Sequence, residues 1–204
     1  MERCAWVKLD EPLYVNYHDE EWGEPVYDDQ KLFEMLCLEG AQAGLNWLTI
    51  LKRREGYRTA FDGFDVEKIL RYDEAKLAAL KEDERIIRNR LKIASVVTNA
   101  KSYQNMQQQH GSFANYIWSF VDGQPIINHW ERMEDVPVTT ELSDRMSKQL
   151  KKDGFKFVGS TICYAFMQAV GMVNDHTKNC HCYHKRSKNE TFNLQNNLNM
   201  RLPD

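Results

Sequence analysis

The chain has 204 residues, a hydrophobic fraction of 42% and a formal net charge of −3. This length fits one domain with at most an appendage, and the apolar fraction is enough for a sizeable core. The small negative charge argues against nucleic-acid binding over the whole surface. No apolar run is long enough to span a bilayer, residues 1–4 do not begin a signal peptide, and the five cysteines are an odd number. The sequence therefore predicts a cytoplasmic protein that contacts no membrane.

Helical periodicity runs through most of the chain. An acid at position 28 or 29 can cap the first strong helix, and a break at residues 43–44 precedes a second helix that contains Trp47. Asp65 and Ser143 are placed to cap later helices, and residues 122–125 form a clear turn. The predicted helices, in chain order, cover residues 31–38, 47–51, 66–69, 74–80, 86–100, 113–120, 143–152 and 160–170.

Few segments alternate polar and apolar residues with the period of a strand, so the sequence predicts an all-α protein. The composition changes near residue 184, where a polar stretch rich in asparagine begins. Such a stretch has too little apolar surface to order itself by burial. We therefore expect one helical domain over residues 1–183 and a weakly ordered tail over residues 184–204.

Two pairs of metal-ligand residues lie near opposite ends of the sequence. His176 and Cys180 are one helical turn apart, so both can face a single cation, and Cys4 and His18 form the second pair. Together they make a Cys2His2 set, which suits a tetrahedral structural zinc site. No compact zinc-finger spacing is present, so the pattern on its own also fits a chance distribution of cysteine and histidine.

Basic residues are concentrated in two stretches of this acidic chain. Residues 85–101 contain five basic residues and no acid, and residues 145–156 contain five more with one acid, Asp153. Local positive patches of this kind fit a groove that meets phosphate on one face. The same stretches also fit two ordinary solvated helix faces.

The second basic stretch overlaps a helix-hairpin-helix pattern. A helix over residues 143–152 precedes a connection over residues 153–159 with a glycine near each end, and another helix follows. Backbone amides at the start of that second helix can hold a DNA phosphate. A helix, turn and helix in any α-helical protein has a similar pattern. The predicted DNA contacts of the hairpin are Lys152, Lys156, Gly159, Ser160 and Thr161.

Several blocks of the sequence are long and specific. They are RCAW at 3–6, YHDEEWG at 17–23, LEGAQAGLNW at 38–47, IIRNR at 86–90, FKFVGSTICY at 155–164, and residues 171–180. In these blocks, which run in order over about residues 1–183, the chain resembles the bacterial 3-methyladenine DNA glycosylase I family. The resemblance implies an all-α helix-hairpin-helix fold in which a structural zinc joins the N- and C-terminal segments. It also implies a monofunctional enzyme that flips 3-methyladenine out of alkylated double-stranded DNA, hydrolyses its N-glycosidic bond and leaves an abasic site.

The resemblance assigns the metal ligands one by one. Cys4, His18, His176 and Cys180 match the zinc ligands of that family. The sequence departs from the family pattern just downstream, where His181 and Cys182 offer competing ligands, as does His184. We expect zinc as the cofactor and the chain to act as a monomer.

A base methylated at N3 carries a positive charge and leaves easily, so the enzyme mainly needs to extract and recognise it. Aromatic faces and a carboxylate suit a flat cation. The family resemblance implies that Glu39 is the catalytic carboxylate, which accepts hydrogen bonds from the base edge. The alternatives are a solvated acid at the end of a helix for Glu39 and a core aromatic for Trp47. The predicted base-binding residues are Tyr17, Trp47, Trp6 and Tyr14, with Trp22 in the same cluster.

Gly44 and Leu45 lie in the break between two helices, and an apolar side chain at such a turn can fill the gap that a flipped base leaves. The alternative for Leu45 is an ordinary core residue. Asp175 lies near where other helix-hairpin-helix glycosylases carry a catalytic aspartate, but it adjoins His176. We therefore predict that it supports the metal ligand and assign it no catalytic role.

Two other kinds of protein share parts of this pattern. A zinc hydrolase or deaminase requires an open metal position and a His-x-Glu with Pro-Cys-x-x-Cys arrangement, neither of which the sequence contains. A non-catalytic zinc-stabilised DNA-binding module fits the hairpin and basic patches as well as an enzyme does. Such a module has no use for a carboxylate among aromatic residues.

Overall fold

The computed structural model describes residues 1–187. Within that range the chain forms ten α-helices, a π-helical turn (Tyr17–Glu21) and two short parallel strands. The helices are α1 (Pro12–Asn16), α2 (Asp29–Gln42), α3 (Trp47–Ala60), α4 (Val66–Ile69), α5 (Glu74–Glu82), α6 (Arg90–His110), α7 (Phe113–Trp118), α8 (Glu141–Lys152), α9 (Ser160–Ala169) and α10 (His181–Arg186). The strands are β1 (Ile126–Ile127) and β2 (Val173–Asn174). The prediction of a mainly helical protein is confirmed.

Side-chain caps fix where several helices begin. Asp28, Asn46 and Asn89 each accept a hydrogen bond from the backbone N–H three residues later, at 2.8, 2.9 and 3.0 Å. Each cap satisfies one of the free N–H groups in the first helical turn. The caps of Asp28 and Asn46 explain why the predicted starts of α2 and α3 agree with the structure, and Asp65, which accepts from the N–H groups of Glu67 and Lys68, does the same for α4.

Two predicted helix starts are wrong. Helix α6 begins at Arg90, not at residue 86, because Asn89 caps it; Ile86 is buried in the preceding loop. Helix α8 begins at Glu141, because Thr140 rather than Ser143 is its cap. Ser143 N–H donates to Thr140 Oγ1 at 3.1 Å while Thr140 N–H donates to Ser143 Oγ at 2.8 Å, so Ser143 completes a reciprocal capping box.

The helix over residues 160–170 is not the last one. Helix α10 crosses the boundary that the sequence predicted between residues 183 and 184. Arg186 in this helix is only 2% exposed and donates to the backbone oxygen of Asp19 at 3.1 Å. The polar stretch therefore begins after a packed helix, and residues 188–204 of the predicted tail lie outside the described residues.

Helix α2 lies in the centre of the fold, where it packs against α3, α6, α7 and α9. Its middle is almost entirely buried, including Leu32, Phe33 and Leu38. A helix surrounded in this way places any polar side chain it carries inside the protein. Among the described residues, no helix combines the length and the hydrophobicity that a membrane crossing requires.

A close backbone approach brings the segment after the π-helical turn against the end of α9. Gly171 has φ +72°, and a Cβ there would lie 2.4 Å from the backbone nitrogen of Pro25. Gly23 N–H donates to Gln168 O, and Val26 N–H donates to Val170 O, both at 3.0 Å. Only glycine fits at position 171, because both the positive φ and the contact exclude a side chain. The approach aligns residues 22–26 with α9.

Candidate active site

A cavity of about 210 Å³ opens where α2 and α3 meet α9 and the N-terminal segment. Its lining residues are Trp6, Tyr14, Tyr17, Trp22, Glu39, Gln42, Trp47, Met133, Ala165 and Gln168. The structure therefore brings the predicted carboxylate and all the predicted base-binding aromatic residues to one cavity.

Glu39 lies in the buried part of α2, three residues before the helix ends, and is 3% exposed. Within the described residues its carboxyl group has no ion pair and no hydrogen-bond partner. Burial raises the pKa of Glu39 to about 8, because a low-dielectric environment disfavours the charged form. A carboxyl group is thus held at the cavity without any cation of the protein to compensate its charge.

Aromatic rings form the walls around this carboxyl group. The ring centroids of Tyr17 and Trp47 are 5.3 Å apart, and Trp6 lies 4.9 Å from Tyr14 and 5.1 Å from Trp22. Burial and the nearby Glu39 raise the pKa values of Tyr14 and Tyr17, so both hydroxyls stay protonated. Nε1 of Trp6 and Nε1 of Trp47 are buried and have no acceptor among the described residues.

Sequence reasoning missed four lining residues. Gln42 follows Glu39 by one helical turn, so its place on the same face was available from helical spacing. Ala165 and Gln168 are likewise one turn apart on α9, but nothing local indicates which face of α9 meets the cavity. Met133 comes from the segment between β1 and α8, and no sequence signal places it there.

The prediction that Asp175 supports a metal ligand is wrong. Its buried carboxylate accepts four hydrogen bonds, and none comes from His176. Oδ1 accepts from Asn128 Nδ2 and Trp130 Nε1, both at 2.7 Å. Oδ2 accepts from Tyr164 Oη at 2.6 Å and from Gln168 Nε2 at 2.8 Å. The carboxylate joins the segment after β1 to α9, and its acceptor sites are all used.

A second buried cluster lies beside the aromatic wall. Cys4, His18, His176 and Cys180 are all buried, and one ligand atom from each lies within 4.8 Å of the others. Sγ of Cys180 is 3.5 Å from both His18 Nε2 and His176 Nδ1, and Sγ of Cys4 is 3.5 Å from His176 Nδ1. The two pairs predicted from opposite ends of the sequence therefore converge on one point.

The other ring nitrogens of the two histidines are held from outside the cluster. His18 Nδ1 is 2.7 Å from Asp19 Oδ1, and His176 Nε2 is 3.0 Å from the backbone oxygen of Trp22. A bidentate contact from Arg3 lowers the pKa of Asp19 to about 2, so that carboxylate accepts. Both acceptors require the proton on the outer nitrogen, which leaves a lone pair on the inner one.

Two neighbouring side chains add possible ligands. His181 and Cys182 form a second group with Cys180, and Cys182 also lies near His18 and Asp19. Sγ of Cys182 is 3.4 Å from His181 Nε2, and His181 Nδ1 is 2.8 Å from the backbone oxygen of Glu2. His181 thus uses its other nitrogen to hold the N-terminal segment.

The predicted hairpin is a tight connection, residues 153–159, between α8 and α9. Asn99 of α6 holds it through two hydrogen bonds, from Lys156 N–H to Asn99 Oδ1 at 2.8 Å and from Asn99 Nδ2 to Lys156 O at 3.2 Å. Gly159 caps α9 without a side-chain hydrogen bond, and a Cβ at that position would meet nothing within 4 Å. Within the described residues, the N–H groups of residues 159–161 have no hydrogen-bond acceptor.

The surroundings of this helix start are mixed in charge. Lys152, Lys156 and Thr161 are exposed, and neither lysine has an ion pair among the described residues. The hydroxyl of Ser160, in contrast, donates to Asp144 and contacts Ser143 Oγ at 2.8 Å. Only the backbone amide of Ser160, and not its hydroxyl, is available to an anion.

The turn between α2 and α3 presents Leu45 to solvent, where it is 42% exposed. Gly44 has φ +77°, with open space where a Cβ would be. Lys92 approaches this turn and donates from Nζ to Ala41 O at 2.8 Å and to Ala43 O. Lys92 is therefore removed from the basic patch predicted over residues 85–101, because it holds the C-terminal end of α2 instead.

Residues 6–184 match the sequence profile of the family described as methyladenine glycosylase. The DNA-3-methyladenine glycosylase 1 of Escherichia coli K12 is 52% identical over 183 residues, which are 90% of this chain and 97% of that protein. The chain belongs to the methyladenine glycosylase family. The family that the sequence blocks indicated is thereby confirmed.

Solved structures of this glycosylase family have the same fold. A crystal structure of 3-methyladenine DNA glycosylase I aligns with a TM-score of 0.87 at 51% identity and covers 89% of this chain and 100% of that one. A crystal structure of a variant 3-methyladenine DNA glycosylase I in complex with 3-methyladenine aligns with a TM-score of 0.86 at 36% identity, covering 94% and 100%. The methyladenine glycosylase fold thus extends over nearly all the described residues.

The buried carboxyl group of this glycosylase makes a prediction for its stability. Burial raises the pKa of Glu39 from 4.5 to about 8, so the folded state binds more protons than the unfolded state between these pH values. The free energy of unfolding therefore falls as the pH rises from 4.5 to 8. We expect Glu39→Gln to be more stable than the wild type at pH 9 and to differ little from it at pH 5, as measured by urea unfolding.

Glu34 on the same helix is the matched control. It is also buried, but its Oε1 accepts from Arg58 Nε at 3.0 Å and Nη2 at 2.7 Å. Removal of its charge weakens the ion pair with the Arg58 guanidinium, so Glu34→Gln is expected to destabilise the protein at both pH values. Equal effects of the two substitutions at pH 9 would contradict the assignment of an unpaired carboxyl group.

Proposed function

We propose that this chain is a base-excision repair glycosylase that hydrolyses the N-glycosidic bond of 3-methyladenine in alkylated double-stranded DNA and leaves an abasic site. The observation that carries the proposal is the unpaired carboxyl group of Glu39 inside an aromatic cavity. A neutral ligand gains little from such a group, whereas a flat cation gains from both the carboxylate and the rings. The relatives named above support the reaction and the base.

The chemistry needs little acid or base assistance. A purine methylated at N3 is cationic in the nucleotide, and the electron pair of the breaking glycosidic bond neutralises it. Water adds to the sugar carbon and loses a proton, which gives a hydroxyl group at an abasic site. The protein must therefore take the base out of the stack, hold it and favour its positive charge over the neutral bases of normal DNA.

The cavity residues divide these tasks. We assign hydrogen-bond acceptance from the base edge to Glu39, which acts as the catalytic carboxylate because the incoming cation favours its ionised form. Trp47 and Tyr17 contribute ring faces for stacking on the base, and Trp6 and Tyr14 close the other side. The buried Nε1 groups of Trp6 and Trp47 gain an acceptor when a nucleotide enters, which offsets the free-energy cost of leaving them unpaired.

The test is base release from alkylated DNA. Removal of one hydrogen bond to a charged group costs ~1.5–3 kcal/mol, so Glu39→Gln should lower the rate of 3-methyladenine release by roughly ten- to hundredfold. Trp47→Ala should weaken binding of free 3-methyladenine, since stacking contributes ~1–3 kcal/mol per base. Chromatography of released bases measures the first effect, and quenching of tryptophan fluorescence measures the second.

Tyr17→Phe is the control for the aromatic wall, because it keeps the ring face and should weaken binding of free 3-methyladenine much less than Trp47→Ala does. The DNA strand should stay unbroken after base release. A wild-type protein that binds DNA and releases no base from it would instead be the non-catalytic DNA-binding module.

The connection between α8 and α9 is proposed as a helix-hairpin-helix contact to the DNA backbone. The open N–H groups at Gly159, Ser160 and Thr161 fit a phosphate at a helix start, and Lys152 and Lys156 add positive charge beside it. Leu45, exposed at the turn after Gly44, fits the role of a wedge in the gap left by the flipped base. Because the Ser160 hydroxyl donates to Asp144, only the backbone amides there are available to contact a phosphate.

Salt dependence tests the hairpin proposal. Lys156→Gln and Lys152→Gln should each weaken DNA binding irrespective of sequence and flatten the plot of log affinity against log salt by roughly one unit per lost phosphate contact. Gly159→Leu should weaken binding more with the fold intact, because its side chain would occupy the space that the phosphate needs. Lys68→Gln on α4 is the control, and its slope should equal that of the wild type. An unchanged slope in both hairpin lysine variants would place the DNA contact elsewhere.

A structural zinc at Cys4, His18, His176 and Cys180 is the proposed link between the N-terminal segment and the segment after β2. Tetrahedral zinc with bonds of about 2.3 Å to sulfur and 2.0–2.1 Å to nitrogen requires S···N separations of roughly 3.5 Å. The three S···N distances of 3.5 Å in the cluster fit that requirement. Four protein ligands close the coordination sphere, so the metal would stabilise the fold and leave the chemistry to the cavity.

Metal analysis should find about one zinc per chain, which a strong chelator removes together with a large part of the thermal stability. Cys4→Ala should lose the metal, because it removes one of four ligands. Cys182→Ser should keep it, which distinguishes the proposed set from one that uses the neighbouring thiol. A stable, metal-free protein with all four residues intact would overturn the proposal.

The extent of the domain and the cellular setting follow from the same proposal. We place the glycosylase domain over residues 1–187 rather than 1–183, because α10 and the buried Arg186 pack on it.

One chain supplies all the residues of the cavity and of the metal cluster, which supports a monomer. Five free cysteines and a DNA substrate support action in the cytoplasm.

A further inference from the structure

Gln168 lies at the junction of the cavity and the buried network of Asp175. On α9, Gln168 shares one helix face with Ala165, which also lines the cavity. It also follows Tyr164 by one turn, and Tyr164 and Gln168 donate to the same oxygen of Asp175. The amide group of Gln168 therefore borders both the hydrogen-bond network of Asp175 and the cavity where a base would lie.

The hydrogen bonds around Asp175 determine the orientation of the Gln168 amide group. The carboxylate oxygens of Asp175 accept hydrogen bonds from four donors, on Asn128, Trp130, Tyr164 and Gln168. The amide nitrogen of Gln168 must therefore point to Asp175, at 2.8 Å. The amide oxygen of Gln168 has no hydrogen-bond partner among the described residues, and it points away from Asp175.

We propose that Asp175 orients Gln168 so that its amide oxygen faces the cavity as a fixed hydrogen-bond acceptor, and that this acceptor, together with Glu39, selects purines with an amino group at C6. The proposal rests on the proposed glycosylase function and adds the basis of its base selectivity. Gln168 is the specificity-determining residue, and Asp175 is a positioning residue that acts through it.

The chemistry of the two methylated purines explains the selectivity. A 6-aminopurine presents N–H donors at C6, and the positive charge of the methylated nucleoside strengthens them. A 6-oxopurine presents an acceptor at the same place, so it would meet the oxygens of Gln168 and Glu39 with its own oxygen. A site built to receive donors strongly disfavours a base that lacks them, because its buried acceptors are then left unpaired. A freely rotating glutamine would have given no such selection, because its amide can offer either end.

The experiment measures release of 3-methyladenine and of 3-methylguanine from the same methylated DNA by the full-length protein. Gln168→Met keeps the length of the side chain and removes the acceptor. We expect it to lower 3-methyladenine release by up to about tenfold, as for one neutral hydrogen bond, without lowering 3-methylguanine release. Asp175→Asn offers an amide nitrogen to Gln168, which can then turn its own nitrogen to the cavity. We expect this variant to shift the release ratio toward 3-methylguanine.

Tyr164→Phe is the matched control. It removes the other donor to the same carboxylate oxygen, at 2.6 Å, from a side chain that does not line the cavity. It should lower the unfolding temperature and leave the release ratio unchanged. Zinc content of each variant is measured in parallel, because Asp175 adjoins His176.

The outcomes separate the two proposals. A wild-type protein that releases no 3-methyladenine overturns the proposed function itself. A wild-type protein that releases it, with Gln168→Met showing the same ratio of the two bases, overturns the orienting role of Gln168 alone. Gln168→Met leaves Asp175 itself in place with three of its four donors, so it keeps the proposal testable even if Asp175→Asn fails to fold.

Discussion

The rest of the fold must hold the unpaired carboxyl group of Glu39 in its buried position. A carboxyl group that burial shifts to a pKa of about 8 opposes folding when it ionises, so the surrounding structure must hold it in place. Helix α2 can do so because it is capped by Asp28 at its start and held by Lys92 at its end. Four other helices enclose it. The carboxyl group that disfavours folding thus lies on a helix that is held at both ends and enclosed by four other helices.

The cavity is also joined directly to the hairpin between α8 and α9. Gly40 follows Glu39, and a Cβ at Gly40 would lie 3.2 Å from Cβ of Phe157 in the hairpin connection. The same connection is held by Asn99 of α6 and by Ser147, whose hydroxyl donates to Val158 O at 2.6 Å. Packed contacts of this kind fix a distance, because protein interiors deform little. The spacing between the hairpin surface and the carboxyl group is therefore built into the core.

The sequence predicted those features that depend on neighbours along the chain. Asp28 and Asp65 mark helix starts because a cap acts within one turn, and the block around Glu39 and Trp47 identified the family. Ile86 misled the prediction because a buried loop residue can match helical spacing. Contacts between distant segments could be predicted only where ligand chemistry or the family resemblance linked them, as for Cys4 and His18 with His176 and Cys180. The four donors of Asp175 come from two segments that are far apart in sequence, Met133 reaches the cavity from a third, and Arg186 is buried against residues 19–24.

The grouping of tryptophans has a practical consequence. Of the five tryptophans in the chain, Trp6, Trp22 and Trp47 border the cavity, while Trp118 is buried in the core and Trp130 is bonded to Asp175. Indole emission responds to the polarity and the stacking partners of its ring. The intrinsic fluorescence of the protein should therefore report what enters the cavity, because three of its five tryptophans line the cavity.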